Sequence, residues 1–424
     1  MLTLKFIKEN KELIVDRLTI RGLDSREILS KIIDLDNSRK TYQTDLDNAL
    51  GELNSLSKKI GLLYKEGKTE EANKTKTRTT DLKEISRELK EHYNNIEAEL
   101  NDLLVQIPNI PHISVPKGKS SDDNEEIRSG GKIPEKNFKL LPHWDLIKQY
   151  DLIDFELGNK LTGAGFPVYK SKAAKLQRAL INFFLENAEK EGYDEVLPPI
   201  IVNEDSGFGT GQLPDKEGQM YQIASSNLYL IPTAEVPVLN IYRNEILNYS
   251  DLPVKNCAYT PCFRKEAGSW GKDVRGLNRL HQFDKVEIIQ IEHPDKSYDT
   301  LENMVNYVES LVKKLELPYR IMKLCGGDLG FTSAITYDFE VYAAGQQKWL
   351  EVSSVSNCEA YQSNRLKLRF KEKGDKKTKL AHTLNGSALA LPRIVAALLE
   401  NNQEKDGIKI PKVLTKYTGF STIN

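Results

Sequence analysis

The stretch CFRKEAGSWGKDVRGLNRLHQFDKVEI, residues 262–288, predicts two antiparallel strands joined by a glycine-bearing loop. Arg264 falls at the end of the first strand, and Arg279 follows the loop. An arginine, an aromatic ring and carboxylates that converge on one strand pair can clamp a phosphate, stack on a purine and hold an amino group. A salt-bridged surface hairpin is the alternative. The period of two places four side chains on one face of the returning strand: Phe283, Lys285, Glu287 and Ile289.

A second stretch, TYDFEVYAAGQQKWLEVSSVSNC at residues 336–358, predicts another antiparallel pair with its turn at AAGQQ. Glu340 and Glu351 fall on adjacent strands in otherwise apolar surroundings, and Ser353 and Ser354 follow. Hard oxygen ligands of this kind suit Mg²⁺, which usually keeps most of its waters and bridges substrate phosphates. Carboxylates satisfied by neighbouring donors at strand ends are the alternative.

The third stretch, LAHTLNGSALALPRIVAALLEN at residues 380–401, predicts a strand followed by an apolar helix. The tripeptide NGS at 385–387 indicates a turn and a helix N-cap. Because Pro392 lies inside the helical pattern, we expect a distorted or late first turn. Arg393 near a helix N-terminus would make an anion site. A buried helix with a snorkelling arginine is the alternative.

Beyond these stretches, strand-like runs alternate with helical ones, such as those at 174–192 and 301–315. Short polar loops between strands favour an α+β body with a mainly antiparallel sheet flanked by helices. Neither a GxxxxGK[ST] loop nor a GxGxxG fingerprint occurs, and HExxH is also missing. Side chains on strands would therefore have to hold any nucleotide.

The N-terminal quarter predicts a long antiparallel helical hairpin of coiled-coil type, at about residues 28–103. A polar break around Gly67 separates two apolar series, and each arm would be roughly 55 to 60 Å long. The first series is Ile28, Ile32, Leu35, Arg39, Tyr42, Leu46, Ala49, Leu53, Leu56, Ile60 and Leu63. The second is Leu82, Ile85, Leu89, Tyr93, Ile96, Leu100 and Leu103.

Charge is unevenly distributed along this hairpin. Residues 51–90 contain ten basic and seven acidic residues, which gives a net charge of +3. Residues 91–130 have a net charge of −5. A basic tip suits an arm that contacts phosphates at its far end. The alternatives are a dimerisation coiled coil and a solvated charged face.

Length and composition bound the remaining possibilities. The 424 residues predict an N-terminal domain at 1–107, a linker at 108–142 and a second domain at 143–424. The balance of 60 basic against 61 acidic residues excludes an unselective polyanion binder, and the apolar runs are too short to cross a membrane. We expect a cytoplasmic protein without a membrane partner. Four cysteines without a CxxC pair predict neither a disulfide scaffold nor a structural zinc site.

The quoted motifs resemble those of the class II aminoacyl-tRNA synthetases, and the likeness to the bacterial-type seryl-tRNA synthetase family covers nearly the whole chain. GYDEVLPP at 192–199 is similar to the first class motif, FRKEAG with its loop to the second, and LNGSALALPR to the third. Three shorter segments, TGQLP, PTAEV and EVSSVSNC, strengthen the resemblance. It implies a class II catalytic domain at 143–424 and a tRNA-binding domain at 1–107.

The resemblance also implies roles for individual residues. It implies catalytic roles for Arg264 and Arg393, and Mg²⁺ ligation by Glu351 and Ser354. The implied serine-binding residues are Thr233, Ala234, Glu235, Arg264, Glu287 and Ser387. The implied ATP-binding residues are Arg264, Lys265, Glu266, Arg279, Phe283, Glu351, Val352, Ser353, Ser354 and Arg393.

The implied activity is that of a serine–tRNA ligase, which activates L-serine with ATP and Mg²⁺ and transfers the seryl group to the 3′ end of serine tRNA. The family also allows selenocysteine tRNA as a substrate, and implies a homodimer whose hairpin contacts the tRNA. Two alternatives stay open. One is a paralogue that adenylates serine for another acceptor, which should lack the long hairpin, and the other is a non-catalytic RNA-binding homologue.

Overall fold

The computed structural model describes residues 1–215, 218–266 and 275–424. The glycine-bearing loop expected after Glu266 lies outside the described residues. Two compact units are present. The first consists of Leu2–Thr19 and Leu23–Pro108, and the second of Met1, Ile20–Gly22 and Asn109–Asn424.

Helices account for most of the first unit and flank the sheet of the second. Those of the first unit are α1 Leu4–Glu9, α2 Lys11–Thr19, α3 Arg26–Lys65 and α4 Thr69–Leu104. Those of the second are α5 His143–Gln149, α6 Phe155–Leu161, α7 Ser171–Lys190, α8 Glu204–Thr210, α9 Glu235–Asn240, α10 Ser297–Lys314, α11 Ala360–Leu366, α12 Leu391–Asn401 and α13 Thr415–Thr418. Within the described residues, no helix is both long enough and apolar enough to cross a membrane.

Strands occur in the second unit. They are β1 Glu125–Gly130, β2 Ile153–Asp154, β3 Val168–Tyr169, β4 Asp194–Glu195, β5 Ile201–Asn203, β6 Leu228–Leu230, β7 Ile246–Asn248, β8 Val254–Phe263, β9 Gln282–Glu292, β10 Tyr319–Lys323, β11 Ile335–Ala343, β12 Lys348–Asn357, β13 Arg369–Lys371, β14 Lys379–Leu380, β15 His382–Ala390, β16 Gln403–Glu404, β17 Gly407–Lys409 and β18 Thr422–Ile423.

The main sheet has eight strands in the order β1-β10-β11-β12-β15-β9-β8-β4. Neighbouring strands run antiparallel except β4, which runs parallel to β8. Helices α7 and α12 pack against the face that carries Val286 and Ile288 of β9. Because side chains alternate along a strand, Phe283, Lys285 and Glu287 face the other side. The predicted α+β class with a mainly antiparallel sheet is confirmed.

The predicted helical hairpin is also confirmed, as α3 and α4. Gly67, with φ +74, ends the first arm. Polar pairs join the arms, including Lys31 to Glu99 at 2.7 Å. The predicted seam is wrong at Ile85, which is 40% exposed, whereas Ser86 is buried. In α4 the buried series passes from Leu82 to Ser86 by a step of four, which leaves Ile85 about 100° away around the helix.

The turn predicted at 385–387 is wrong. Strand β15 continues through these residues to Ala390 because both of its neighbours pair with it there. Gly386 pairs with Val355 of β12, and Ser387 pairs with Glu287 of β9. The ladder hydrogen bonds thus override the local turn preference. Helix α12 therefore begins late, at Leu391, with Pro392 in its first turn, as the proline predicted.

The segment 108–142, expected to be an irregular linker, contributes strand β1 to the edge of the main sheet. Glu125 pairs with Lys323 and Gly130 pairs with Tyr319 of β10. The residues of β1 are mostly polar and exposed, so the strand lacks the apolar alternation by which edge strands are usually recognised. The segment predicted as a linker therefore contains a regular strand at Glu125–Gly130.

Candidate active site

A cavity of about 820 Å³ opens on the sheet face opposite α7 and α12. Strand ends, the first turns of α9 and α12 and three of the connecting loops supply its walls. Its lining comprises Gln212, Gln219, Pro232, Thr233, Glu235, Arg264, Glu266, Leu277, Asn278, Arg279, Leu280, Phe283, Lys285, Glu287, Glu351, Val352, Ser353, Ser354, Asn385, Ser387, Ala390, Pro392 and Arg393. All three stretches singled out by their sequence therefore meet in one place.

One part of the cavity is a buried polar cluster centred on Glu287. Its Oε2 forms an ion pair with the Lys285 ammonium and lies 3.3 Å from the Thr233 hydroxyl and 3.5 Å from that of Ser387. Lys285 also donates to the Thr233 hydroxyl at 3.0 Å. The cluster offers a carboxylate and two hydroxyl groups within a small volume. Such a set can hydrogen-bond a small ligand that carries both an ammonium and a hydroxyl group.

A second buried carboxyl group, Glu235, lies beside this cluster. Burial, and next the charge of Glu287, raise the pKa of Glu235 to about 7. Its Oε1 accepts from the amides of Gln362 at 2.5 Å and Asn385 at 3.0 Å. The Gln362 carbonyl in turn accepts from Thr383 at 2.7 Å, so the amide cannot easily flip. Glu235 is therefore held in one orientation and titrates near neutral pH.

The other part of the cavity is rich in arginine. The Arg264 guanidinium lies 5.3 Å from the centroid of the Phe283 ring. Arg279 forms an ion pair with Glu266. Arg393 donates from Nε to the carbonyl oxygen of Asn278 at 3.1 Å and from its terminal amino group to the carbonyl oxygen of Glu351 at 2.7 Å.

The positive charge of these arginine side chains makes that part of the cavity suited to anions. Three guanidinium groups and an aromatic face together can bind a polyphosphate and a nucleobase.

Glu351 and Ser354 supply the oxygen atoms best placed for a divalent cation. The Ser354 hydroxyl lies 3.4 Å from Glu351 Oε1, and the Glu351 side chain is about half exposed towards the cavity. A carboxylate and a hydroxyl in this arrangement fit Mg²⁺, which needs few protein ligands when phosphates and water complete its shell. Among the described residues, no group of three or more acidic, histidine or cysteine side chains is arranged for a metal.

Two carboxyl groups near Glu351 are less open to a ligand than Glu351 is. Glu340, paired with Glu351 in the strand register, forms an ion pair with Arg320 and does not line the cavity. The expectation that it forms part of the cation site is therefore wrong. Asp338 lies across from Ser354, and burial, with the nearby charge of Glu351, raises its pKa well above the usual range. Glu351 lies 3.6 Å from Arg393 but stays about half exposed in the cavity, so it is the carboxylate of this group that is open to a ligand.

Most residues with a predicted site role line the cavity, and two do not. Lys265 is exposed, with its ammonium 5.9 Å from the Tyr221 ring, while its backbone N–H donates to Gln219 at 2.8 Å. Ala234 is buried in an apolar cluster with Val238. The ligand contacts of the whole predicted set stay predictions.

Sequence reasoning did not assign several residues of the cavity to the site. Lys285 was recognisable, because it shares the strand face of Phe283 and Glu287. Asn385 had been interpreted as part of a turn. Gln212 and Gln219 belong to irregular segments without a periodic signal, and only the fold brings them to the cavity.

Comparison with known proteins connects both units to one family. The family model described as the seryl-tRNA synthetase N-terminal domain matches residues 1–111. The model described as the tRNA synthetase class II core domain (G, H, P, S and T) matches residues 221–402. The second match includes Arg264, Phe283, Glu351 and Ser387 and the strands beside or within which they lie.

Full-length relatives and solved structures agree with these matches. The serine–tRNA ligase of Salinibacter ruber is 48% identical, over 100% of this chain and 99% of its own, and that of Geobacter sulfurreducens is 44% identical over 99% of each chain. The crystal structure of seryl-tRNA synthetase from Pyrococcus horikoshii complexed with ATP has a TM-score of 0.91 and 36% identity, and covers 100% of this chain and 99% of its own. The cytoplasmic serine–tRNA ligase of Naegleria fowleri in complex with AMP has a TM-score of 0.86 and 26% identity with the same coverage. The chain therefore belongs to the seryl-tRNA synthetase family.

Proposed function

We propose that this chain is an ATP-dependent serine–tRNA ligase. In the first step, a serine carboxylate oxygen attacks the α-phosphorus of ATP, and pyrophosphate leaves as seryl-adenylate forms. In the second, a hydroxyl group of the terminal adenosine of serine tRNA attacks the seryl carbonyl carbon, and AMP leaves. The observation that carries this proposal is the joining, in one cavity, of a small buried polar cluster and an arginine-rich part.

The polar cluster accounts for the choice of amino acid. Thr233 and Glu235 would hold the α-ammonium group, and Glu287 and Ser387 would hold the side-chain hydroxyl. A substrate without the hydroxyl would leave these buried groups without partners, so alanine should be strongly rejected. Lys285 neutralises the carboxylate of Glu287. About one negative charge, that of Glu235, is then left for the α-ammonium group of serine.

The arginine-rich part would bind ATP. Arg264 would bridge the α-phosphate and the serine carboxylate, and Phe283 would stack on adenine near Glu266. Arg393 and Arg279 would hold the outer phosphates. Glu351 and Ser354 would hold Mg²⁺, which supplies positive charge to the phosphates and the departing pyrophosphate. The cavity needs no protein nucleophile, because positioning and charge compensation suffice for phosphoryl-group chemistry of this kind.

Further parts of the proposal concern partners and location. We propose that residues 1–107 form a tRNA-binding domain whose helical hairpin contacts serine tRNA, and that the catalytic domain at 143–424 forms a homodimer. Selenocysteine tRNA would be charged with serine by the same route. A cytoplasmic location follows from this activity. The net charge of +3 at the hairpin tip supports contact with a phosphate backbone.

Amino-acid-dependent exchange of pyrophosphate into ATP tests the proposed activity. Run with each of the twenty amino acids, the exchange should be strong with serine and lower with alanine by roughly a thousandfold or more, because alanine leaves buried polar groups unpaired. A paralogue that loads another acceptor would pass this test but would not charge serine tRNA. No exchange with serine would contradict the whole proposal.

The raised pKa of Glu235 predicts a pH-dependent affinity for serine. The α-ammonium group needs a carboxylate, and a group with a pKa of about 7 is mostly protonated at pH 6 and mostly ionised at pH 8. The apparent KM for serine should therefore rise about tenfold from pH 8 to pH 6. Glu235→Gln should raise KM for serine at every pH and remove its dependence on pH. KM for ATP should not show this dependence on pH in either protein. An unchanged pH profile in the variant would contradict the assignment.

A further inference from the structure

A polar cluster that includes two completely buried side chains lies behind the arginine-rich part of the cavity, outside its lining. His143 at the start of α5 and Glu400 in α12 are both 0% exposed. His143 Nδ1 lies 2.7 Å from Glu400 Oε1, and His143 Nε2 lies 2.9 Å from the backbone nitrogen of Leu277. A backbone N–H can only donate, so Nε2 carries no proton. Nδ1 is therefore the protonated nitrogen and donates to Glu400.

The Glu400 carboxylate is saturated with donors. Besides the imidazole, it accepts from the backbone N–H of His143 at 2.9 Å, and from the backbone and side-chain amides of Gln346 at 3.0 and 2.8 Å. Gln346 belongs to the turn between β11 and β12. A buried carboxylate is expensive to maintain in a mostly apolar helix, and four hydrogen bonds compensate for its lost hydration.

This cluster holds residues 276–278, which belong to the connection between β8 and β9 and lie shortly before β9 begins. Gly276 has φ +64, and an added Cβ there would lie 2.2 Å from His143 Nε2, so the backbone passes close to this edge of the imidazole. The next residue, Leu277, donates to that nitrogen. Asn278 donates from its side chain to Gln346 Oε1 at 3.0 Å. The two residues that follow the glycine bend are thus tied to His143 and Gln346.

The same segment in turn contacts Arg393. The carbonyl oxygen of Asn278 accepts from Arg393 Nε at 3.1 Å, and Leu277 and Asn278 both line the cavity. A continuous chain of hydrogen bonds therefore runs from Glu400 through Gln346 and Asn278 to this guanidinium. His143 and Glu400 are completely buried and Gln346 is half-buried, so a broken link would leave an unpaired polar group.

We infer that His143, Glu400 and Gln346 are positioning residues for ATP, which hold the Leu277–Asn278 segment and through it Arg393. The inference rests on the proposed function for the identity of the nucleotide. It assigns these three residues no contact with either substrate. Their loss should therefore impair the nucleotide end of the cavity and spare the serine end, which they do not touch.

His143 offers a pair of conservative variants that separate its two contacts. In His143→Asn, the amide can occupy the place of Nδ1 and bind Glu400 but is too short to reach Leu277. In His143→Gln, the side-chain oxygen can take the place of Nε2 and accept from Leu277. We expect KM for ATP in serine-dependent pyrophosphate exchange to rise about tenfold in His143→Asn and to stay within about threefold in His143→Gln. KM for serine should change less than about twofold in both.

His382→Asn is the matched control, since His382 is a half-buried histidine whose Nδ1 lies 2.8 Å from the Ser297 hydroxyl, away from the cavity lining. It should change thermal stability without changing KM for ATP. Gln346→Met provides a second route if His143→Asn does not fold, because Gln346 lies in a turn and methionine preserves its bulk. This variant should also raise KM for ATP several-fold.

Three results would overturn the inference: an unchanged KM for ATP in folded His143→Asn or Gln346→Met, equal changes in both KM values, or the same change in His382→Asn. Titration of the full-length proteins with ATP and Mg²⁺ by calorimetry distinguishes failure of the positioning inference from failure of the proposed function. If the unaltered protein shows no serine-dependent exchange, the function is wrong. The dissociation constants for ATP still test whether His143 positions the nucleotide site.

Discussion

Replacement of Arg264 by alanine should lower serine-dependent pyrophosphate exchange by about a thousandfold. Arg264 directly follows β8, and its Nε lies 3.4 Å from the carbonyl oxygen of Pro232. It lies over Phe283 in the arginine-rich part of the cavity. A guanidinium there can bind both reacting groups and offset the charge that develops at the α-phosphorus. Removing it would cost about 4 kcal/mol of transition-state stabilisation.

The fold should tolerate this change, because Arg264 is half-buried and forms no ion pair among the described residues. Arg178→Ala removes an exposed guanidinium from α7 and serves as the control for loss of one positive charge. Its exchange rate should stay near that of the unaltered protein. Thermal unfolding of both variants would separate a loss of activity from a loss of structure. Near-normal exchange by Arg264→Ala would show that the proposed role is wrong.

Shortening the helical hairpin should separate the two steps of the reaction. Leu46 of α3 and Leu89 of α4 both lie on the seam between the two arms. Packed helices are about 10 Å apart, a distance that four residues can span. A four-residue glycine–serine linker can therefore replace residues 47–88 and rejoin the arms. The stacked pair of Tyr42 and His92 remains to hold the shortened arms together. Serine-dependent pyrophosphate exchange should be retained, because the catalytic cavity lies within the second unit.

Charging of serine tRNA by the shortened protein should fall by about a hundredfold in kcat/KM, since the removed segment carries the basic tip. The initial rate of seryl-tRNA formation at low tRNA concentration measures this loss. The exchange reaction of the same preparation is the internal control for folding. Undiminished charging would show that the hairpin does not contact the tRNA in a way that matters for aminoacylation.

Local patterns predicted those parts of the molecule whose stabilising contacts repeat along the chain. No predicted seam residue from Ile28 to Leu63 is exposed, because every fourth or third residue of a helix lies on the same face, although Leu29 and Asp36, outside the prediction, are more deeply buried than their neighbours in it. The shared face of Phe283, Lys285 and Glu287 was correct for a similar reason, since alternation is built into a strand. The error at Ile85 arose where steps of three and four were both compatible with the sequence.

Local patterns did not predict contacts between segments that are distant in the sequence. The tripeptide at 385–387 has turn chemistry, yet pairing with β12 and β9 makes it part of a strand. Glu340 and Glu351 are equivalent in sequence terms, but Glu340 pairs with Arg320 outside the cavity lining, whereas Glu351 lies 3.6 Å from Arg393 within it. His143 and Glu400 are 257 residues apart, and nothing near either residue in the sequence indicates the other.

The sequence by itself determined the fold class, the helical hairpin and the residue types of a site for an amino acid and a nucleotide, because these depend on periodicity and on motifs confined to short stretches. Only the tertiary structure decided which carboxylates keep an open face, how Glu235 acquires a pKa of about 7, and how Arg393 is held. These properties depend on burial and on donors from remote strands and helices. Burial and remote contacts exist only once the sheet has assembled.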